Sequence, residues 1–230
     1  MANIALMYMN VDLKAVVDSL INYIGFKDED FIAYYLCRRG YNPFEVLVAI
    51  VLSQNTRDEL AMKAFNNLRS VCGVLTPQVI LNKPPEVVED AVRVAGMYRR
   101  RTLIIKELAR VLSGLDSVDR LLTMPTEEVR DLLLSIEGIG YKTVDVFLLM
   151  CRGEPVFPID THIRRVLSRL GIIERGDDYL RIQEKVHKLL PPNYYLKTHL
   201  TLIAHGRTYC RARRPLCSVC PINNLCPKKI

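Results

Sequence analysis

Two side chains and one group of cysteines are of types, and at spacings, that could do chemistry. Lys142 follows Gly138-Ile139-Gly140-Tyr141 and falls in the first turn of an expected helix. There the helix dipole opposes a cation, so a sequence chosen for stability would more often place Asp or Glu. The same field pulls the amine from its ordinary pKa of about 10.4 towards the range of about 7–8 where it becomes a nucleophile. On position alone, an exposed lysine reaching to a phosphate is the competing reading. Asp145, three residues further on, lies near enough on a helix to oppose that shift. Further on, Pro158-Ile159-Asp160-Thr161-His162 opens another helix, with Asp160 eighteen residues after Lys142. Asp160 alone is an N-cap; what lifts it above one is the company it keeps.

The cysteines Cys210, Cys217, Cys220 and Cys226 fall within seventeen residues, spaced C-x6-C-x2-C-x5-C. Four soft thiolates on one short loop can surround a compact centre. Zinc sites usually pair two close cysteines with a second, distant pair; here a single close pair is flanked by the outer two. The spacing therefore favours an iron–sulfur cluster over zinc, in a structural role. Arg211, Arg213 and Arg214 would be held outward on that loop, suited to phosphates. Cys37, Cys72 and Cys151 lie in apolar, helical-looking sequence and are expected to be free and buried. The total of seven cysteines also argues against a disulfide framework.

These groups need rigid elements to position them, and the periodicity is helical almost everywhere. Apolar residues recur at i, i+3 or i+4 over 11–24, 44–52, 99–112, 129–136, 143–151, 161–170, 179–190 and 195–205, which predicts helices there. Breaks fall at Asn42-Pro43, Lys83-Pro84-Pro85, Met124-Pro125-Thr126, Gly138-Ile139-Gly140, Gly153-Glu154-Pro155 and Pro191-Pro192, with Thr126 expected as an N-cap. No clean period-two segment is present, so the expected class is all-α. Gly138 and Gly140 would supply positive φ and bare N–H groups at a helix N-terminus, a natural anion site.

Lys and Arg total 32 against 25 Asp and Glu, a net charge of +7. Nine basic residues and no acidic one lie between Lys185 and Ile230, so the excess is confined to the C-terminal fifth and points to a polyanion. The longest apolar run, Val46 to Leu52, is seven residues, against the roughly 20 of a membrane helix. The stretch from Met1 to Val11 lacks a basic leader and a cleavage site, while Met7 and Met9 leave the start codon open. The expectation is an intracellular chain without a membrane association.

From about Pro43 to Cys226 these residues resemble the endonuclease III family of DNA glycosylases, of the helix-hairpin-helix superfamily. Phe44 to Leu52 followed by Ser53-Gln54-Asn55-Thr56 resembles the helix and lesion-pocket loop. Gly96-Met97-Tyr98 with Arg101 resembles the Gly-x-Tyr-x-x-Lys segment. Gly138 to Thr143 resembles the hairpin with its catalytic lysine, and Ile159 to His162 the segment carrying the catalytic aspartate. His205-Gly206-Arg207 and the four cysteines resemble the [4Fe–4S] loop. The resemblance implies two helical domains flanking a DNA-binding cleft: a cluster domain from 1–40 and 153–230, and a six-helix barrel from 41–152. It implies a monomer that rotates a damaged base out of the duplex, with Lys142 and Asp160 catalytic. Gly138, Gly140, Arg207, Arg211, Arg213 and Arg214 would contact DNA phosphates, Gln54 or Asn55 would fill the gap left by the flipped base, and hairpin carbonyls would hold a monovalent cation. Glu137, Tyr141 and Gln54-Asn55-Thr56 depart from the commonest family pattern.

The implied activity is a base-excision-repair glycosylase and abasic-site lyase for oxidised pyrimidines, working in the cytoplasm or at the nucleoid, or in the nucleus of a eukaryote. The alternatives are a monofunctional glycosylase for mismatched uracil, thymine or adenine, which typically lacks the lysine, and a non-catalytic DNA-binding protein stabilised by its cluster.

Overall fold

A computed structural model describes residues 11–228. Most of the apolar opening stretch, with Met7 and Met9, lies outside the described residues, as does Lys229 of the basic segment. Among the described residues every regular element is a helix. The twelve α-helices are α1 (Leu13–Ile21), α2 (Ile32–Arg38), α3 (Pro43–Ser53), α4 (Asp58–Cys72), α5 (Pro77–Leu81), α6 (Pro85–Val92), α7 (Tyr98–Leu112), α8 (Thr126–Leu134), α9 (Tyr141–Phe147), α10 (Thr161–Arg169), α11 (Tyr179–Leu189) and α12 (Tyr195–Thr208). None is long and apolar enough to cross a membrane.

The chain forms two compact units. One runs from Lys27 to Pro158; the other joins the described residues up to Phe26 with those from Ile159 onward. These divisions differ from the expected 40/41 and 152/153 for physical reasons. Ile32, Ala33 and Leu36 of α2 are buried in the same core as α3. At the other boundary Arg152 pairs with Glu154 at 2.9 Å, and the Thr126 hydroxyl donates to the same carboxylate at 2.9 Å. Thr126 is therefore not the cap of α8. Pro125 occupies that position, and Thr126 fastens 152–154 to the start of the helix.

In the first unit α3 is the hub. Every residue from Pro43 to Leu52 is buried, as in a helix apolar all round that lies within a core. Asn42 starts it by accepting from the Glu45 N–H, and Pro43 at its first position suits a site that needs no donor. Helices α2, α4, α7 and α9 pack around it. Cys37 and Cys151 are not free: they form a disulfide across 114 residues, their Cα atoms 5.2 Å apart. The reason is tertiary. α2 packs on the wide helical turn Leu148–Arg152 that extends α9, and this brings two cysteines distant in sequence together. Cys72 is free, as expected, but only half-buried.

In the second unit α12 is the hub, buried from Tyr195 to Gly206 with few gaps, and α1 and α10 pack against it. Gly206 makes the α10 contact possible. A Cβ there would stand 2.9 Å from His162 Cβ and 3.2 Å from its Nδ1.

Candidate active site

Lys142 is the second residue of α9 and is half-buried. Gly138 has φ +90°, and a Cβ on it would lie 2.5 Å from Ile104 Cδ1, so conformation and space both demand glycine. Gly140 does not share the first demand. It is the N-cap of α9 with φ −112°, which corrects the expectation of positive φ at both glycines. It is exposed, with nothing within 4 Å of the position a Cβ would take. The first N–H groups of α9 lack intrahelical partners, so Gly140 leaves open ground beside an anion-favouring helix end. Glu137 and Tyr141 are exposed on either side. Asp145 is fully buried, and Arg130 of α8 binds its carboxylate at 2.7 Å. That pair closes the hairpin from behind and shares the Asp145 charge with a guanidinium.

The loop after α3 is held against this hairpin. Gln54 Nε2 donates to the Gly138 carbonyl and to Thr143 Oγ1, each at 3.2 Å. Asn55 by contrast is exposed with φ +53°, a left-handed conformation that asparagine tolerates. Arg101 is 2 % exposed and donates to the carbonyls of Val51, Gln54, Ala95 and Gly96. Burial pulls its pKa down, while carbonyls at the negative C-terminal end of α3 favour its charge. One guanidinium thus fixes two loops. The second presents Met97, 52 % exposed with φ +47°. In the sequence Met97 stands only as the variable position of Gly96-Met97-Tyr98, with no functional role expected of it; its signal is an apolar residue there with no core period to serve.

Asp160 is the N-cap of α10, its Oδ1 accepting from the Ile163 N–H at 2.7 Å. Arg165, one turn on, donates to the Cys210 carbonyl at 2.8 Å, the Gly206 carbonyl at 2.9 Å and His162 Nδ1 at 3.0 Å. Burial pulls the His162 pKa down, with Arg165 adding to it and Asp160 opposing. At the far end of α10, Arg169 donates to the Arg211 and Ala212 carbonyls and, at 3.3 Å, to Cys210 Sγ.

Cys210, Cys217, Cys220 and Cys226 line one cavity with Arg169, His205, Tyr209 and Ile222. Four soft sulfur donors on one lining are a set that can hold an iron–sulfur cluster. The Lys228 N–H donates to Cys226 Sγ at 3.4 Å, and His205 Nε2 lies 4.0 Å from Cys220 Sγ. Burial pushes the Cys220 and Cys226 thiols up. Arg207, Arg211, Arg213 and Arg214 are exposed around this loop, and the Arg211 Nε donates to the Thr208 carbonyl.

The family model described as HhH-GPD superfamily base excision DNA repair protein matches residues 48–192, well over half of the chain. The chain belongs to this superfamily. The model of the iron–sulfur binding domain of endonuclease III matches residues 210–226 of the same HhH-GPD protein, and its cofactor is a [4Fe–4S] cluster. It is 40 % identical over 198 residues to endonuclease III of Sulfolobus acidocaldarius, covering 86 % of this chain and 87 % of that one. Its fold matches a non-covalent endonuclease III–DNA complex with a TM-score of 0.78 at 29 % identity, over 94 % of each chain. It also matches a trapped endonuclease III–DNA covalent intermediate with a TM-score of 0.73 at 27 % identity, over 94 % of this chain and 96 % of that one.

Proposed function

We propose that this HhH-GPD protein is a base-excision-repair DNA glycosylase with abasic-site lyase activity, removing oxidised pyrimidines from duplex DNA as a monomer. The observation that carries the reading is Lys142: a lysine in the first turn after a glycine hairpin, in a chain similar along nearly its whole length to an endonuclease III trapped covalently on DNA. As a neutral amine, Lys142 Nζ gives its lone pair to C1′ of the flipped nucleotide. The C1′–N bond breaks and the base leaves with that electron pair, taking up a proton. Loss of the amine proton and opening of the sugar give a Schiff base, and removal of a C2′ proton then expels the 3′ phosphate. Asp160 stays ionised, stabilises the positive charge that develops on the sugar and assists the proton transfers.

The remaining roles follow from placement. The hairpin N–H groups at Gly138 and Gly140 hold a phosphate, with a monovalent cation on hairpin carbonyls. Arg207, Arg211, Arg213 and Arg214 fix register on the backbone without reading sequence. Asn55 is the residue for the vacated base position, since its left-handed backbone and exposure leave it available while the Gln54 amide is engaged on the hairpin. Met97 is an apolar wedge for the base stack beside it. Cys210, Cys217, Cys220 and Cys226 hold the [4Fe–4S] cluster, whose thiolate bonds knit the arginine-bearing loop. We place the protein with its substrate, in the cytoplasm or at the nucleoid.

Lys142→Gln tests the central role. It should abolish borohydride-trapped complex while changing the Kd for an abasic-analogue duplex less than about threefold, because a single phosphate-range contact is lost at most. Undiminished strand cleavage by this variant would overturn the reading.

A further inference from the structure

In the loop after α3, Gln54 reaches across to the hairpin with its side chain. Its amide spans from one flank of the turn to the other: Gly138 supplies a carbonyl before the turn, and Thr143 supplies a hydroxyl from the residue after Lys142, each 3.2 Å away. Thr143 is 3 % exposed, so its hydroxyl is removed from bulk water. The main chain of Gln54 is fixed as well, its carbonyl accepting from Arg101 Nη2 at 2.6 Å. The residue is thereby anchored at both ends, and Asn55 follows it directly in the chain.

We propose that Gln54 is a positioning residue for Lys142, a strut whose amide locks the first turn of α9 to the loop that carries Asn55. The proposal rests on the glycosylase–lyase reading above and gives Gln54 a role inside the protein in place of a DNA contact. A first turn of helix has few intrahelical bonds to restrain it, and a misplacement of about 1 Å can cost up to about 100-fold in rate. Donation to Thr143 Oγ1 restrains the backbone one residue from the nucleophile, and donation to the Gly138 carbonyl restrains the other side of the turn. A lesion-pocket loop and a nucleophile that move as one body give an amine already aimed when the flipped nucleotide arrives.

Gln54→Met keeps length and volume but removes both donors, and Thr143→Val removes one acceptor. Single-turnover Schiff-base formation would be measured by borohydride trapping on a duplex with a preformed abasic site, with enzyme in excess. Each variant should slow trapping about tenfold, with the Kd for a tetrahydrofuran-containing duplex within about twofold of wild type. The double variant should be no slower than the slower single one, since the two changes break one linkage. Thr143→Ser keeps the acceptor and should retain the wild-type rate, separating linkage from damage to packing. A Gln54→Met protein that traps at the wild-type rate overturns the proposal, as does one that binds tenfold more weakly but reacts normally once bound. Wild-type protein that traps nothing overturns the glycosylase–lyase reading, and this proposal with it.

Discussion

In the proposed mechanism the Asp160 carboxylate has a catalytic job besides its cap, and chemistry separates the two. It caps α10 through the Ile163 N–H, a role asparagine fills nearly as well, whereas alanine costs about 1 kcal/mol. Asp160→Asn should therefore slow base excision at least 100-fold while leaving the melting temperature within about 2 °C. Asp160→Ala should lose activity and stability together. A normally active Asp160→Asn protein would remove the carboxylate from the mechanism. The placement of Lys142 and Asp160 at helix starts was legible in the sequence because local signals mark both starts. Asn55 and Gln54 could not be told apart there. Their difference lies in a left-handed φ and in hydrogen bonds to residues more than 80 positions away, and neither leaves a local trace. Arg101 was visible only as a family position. Its job of gathering four carbonyls from two loops exists only once those loops meet.

At the scale of elements, the two glycines that matter are fixed by neighbours. Gly206 lets α12 approach α10, and Gly206→Ala would drive a methyl to 2.9 Å from His162 Cβ. Relief of that overlap should cost about 1–3 kcal/mol, more than the gain of about 1 kcal/mol from replacing glycine in a helix, and denaturant unfolding would read the difference. The same contact buries His162, whose lowered pKa favours the neutral ring in the folded state. The unfolded chain then binds more protons as pH falls through about 6.5, so stability should decline below that value. His162→Gln should reduce the decline between pH 7.5 and 5.5 without abolishing it, because the buried His205, pulled down to about 4, contributes in the same direction; an unchanged slope would show that His162 is not a source of it. Periodicity located α1, α3 and α7 to α12 to within a few residues. It passed over α2, α4, α5 and α6, where apolar residues are interrupted by exposed charges or the helix is a turn or two long.

Across the whole molecule, each core buries one helix on nearly every face: α3, almost wholly apolar, which gives Val46 to Leu52 its packing partners, and α12, which also buries Thr198, His199, Thr201 and His205. The Cys37–Cys151 bond closes 114 residues of the α3-centred unit. Removing it should destabilise by about 2–4 kcal/mol, read as a melting temperature lower by roughly 5–15 °C in the Cys37→Ser protein. Equal melting temperatures with and without the bond would show that it adds nothing. Nothing in the sequence paired these cysteines, since a tertiary contact alone brings them together. The localised basic charge was plain from composition and should appear as salt dependence. DNA affinity should fall steeply with salt, and Arg213→Ala should reduce the slope of log K against log salt by about one.

The central claim is that Lys142 becomes covalently joined to the deoxyribose of a damaged pyrimidine nucleotide. Borohydride trapping tests it most directly, on duplexes carrying thymine glycol, 5-hydroxycytosine, uracil opposite guanine, adenine opposite 8-oxoguanine, or a plain abasic site. The account predicts a trapped complex on the two oxidised pyrimidines and on the abasic site, lost in Lys142→Gln. Absence of any trapped complex, from protein with the brown colour of an intact cluster, would contradict it.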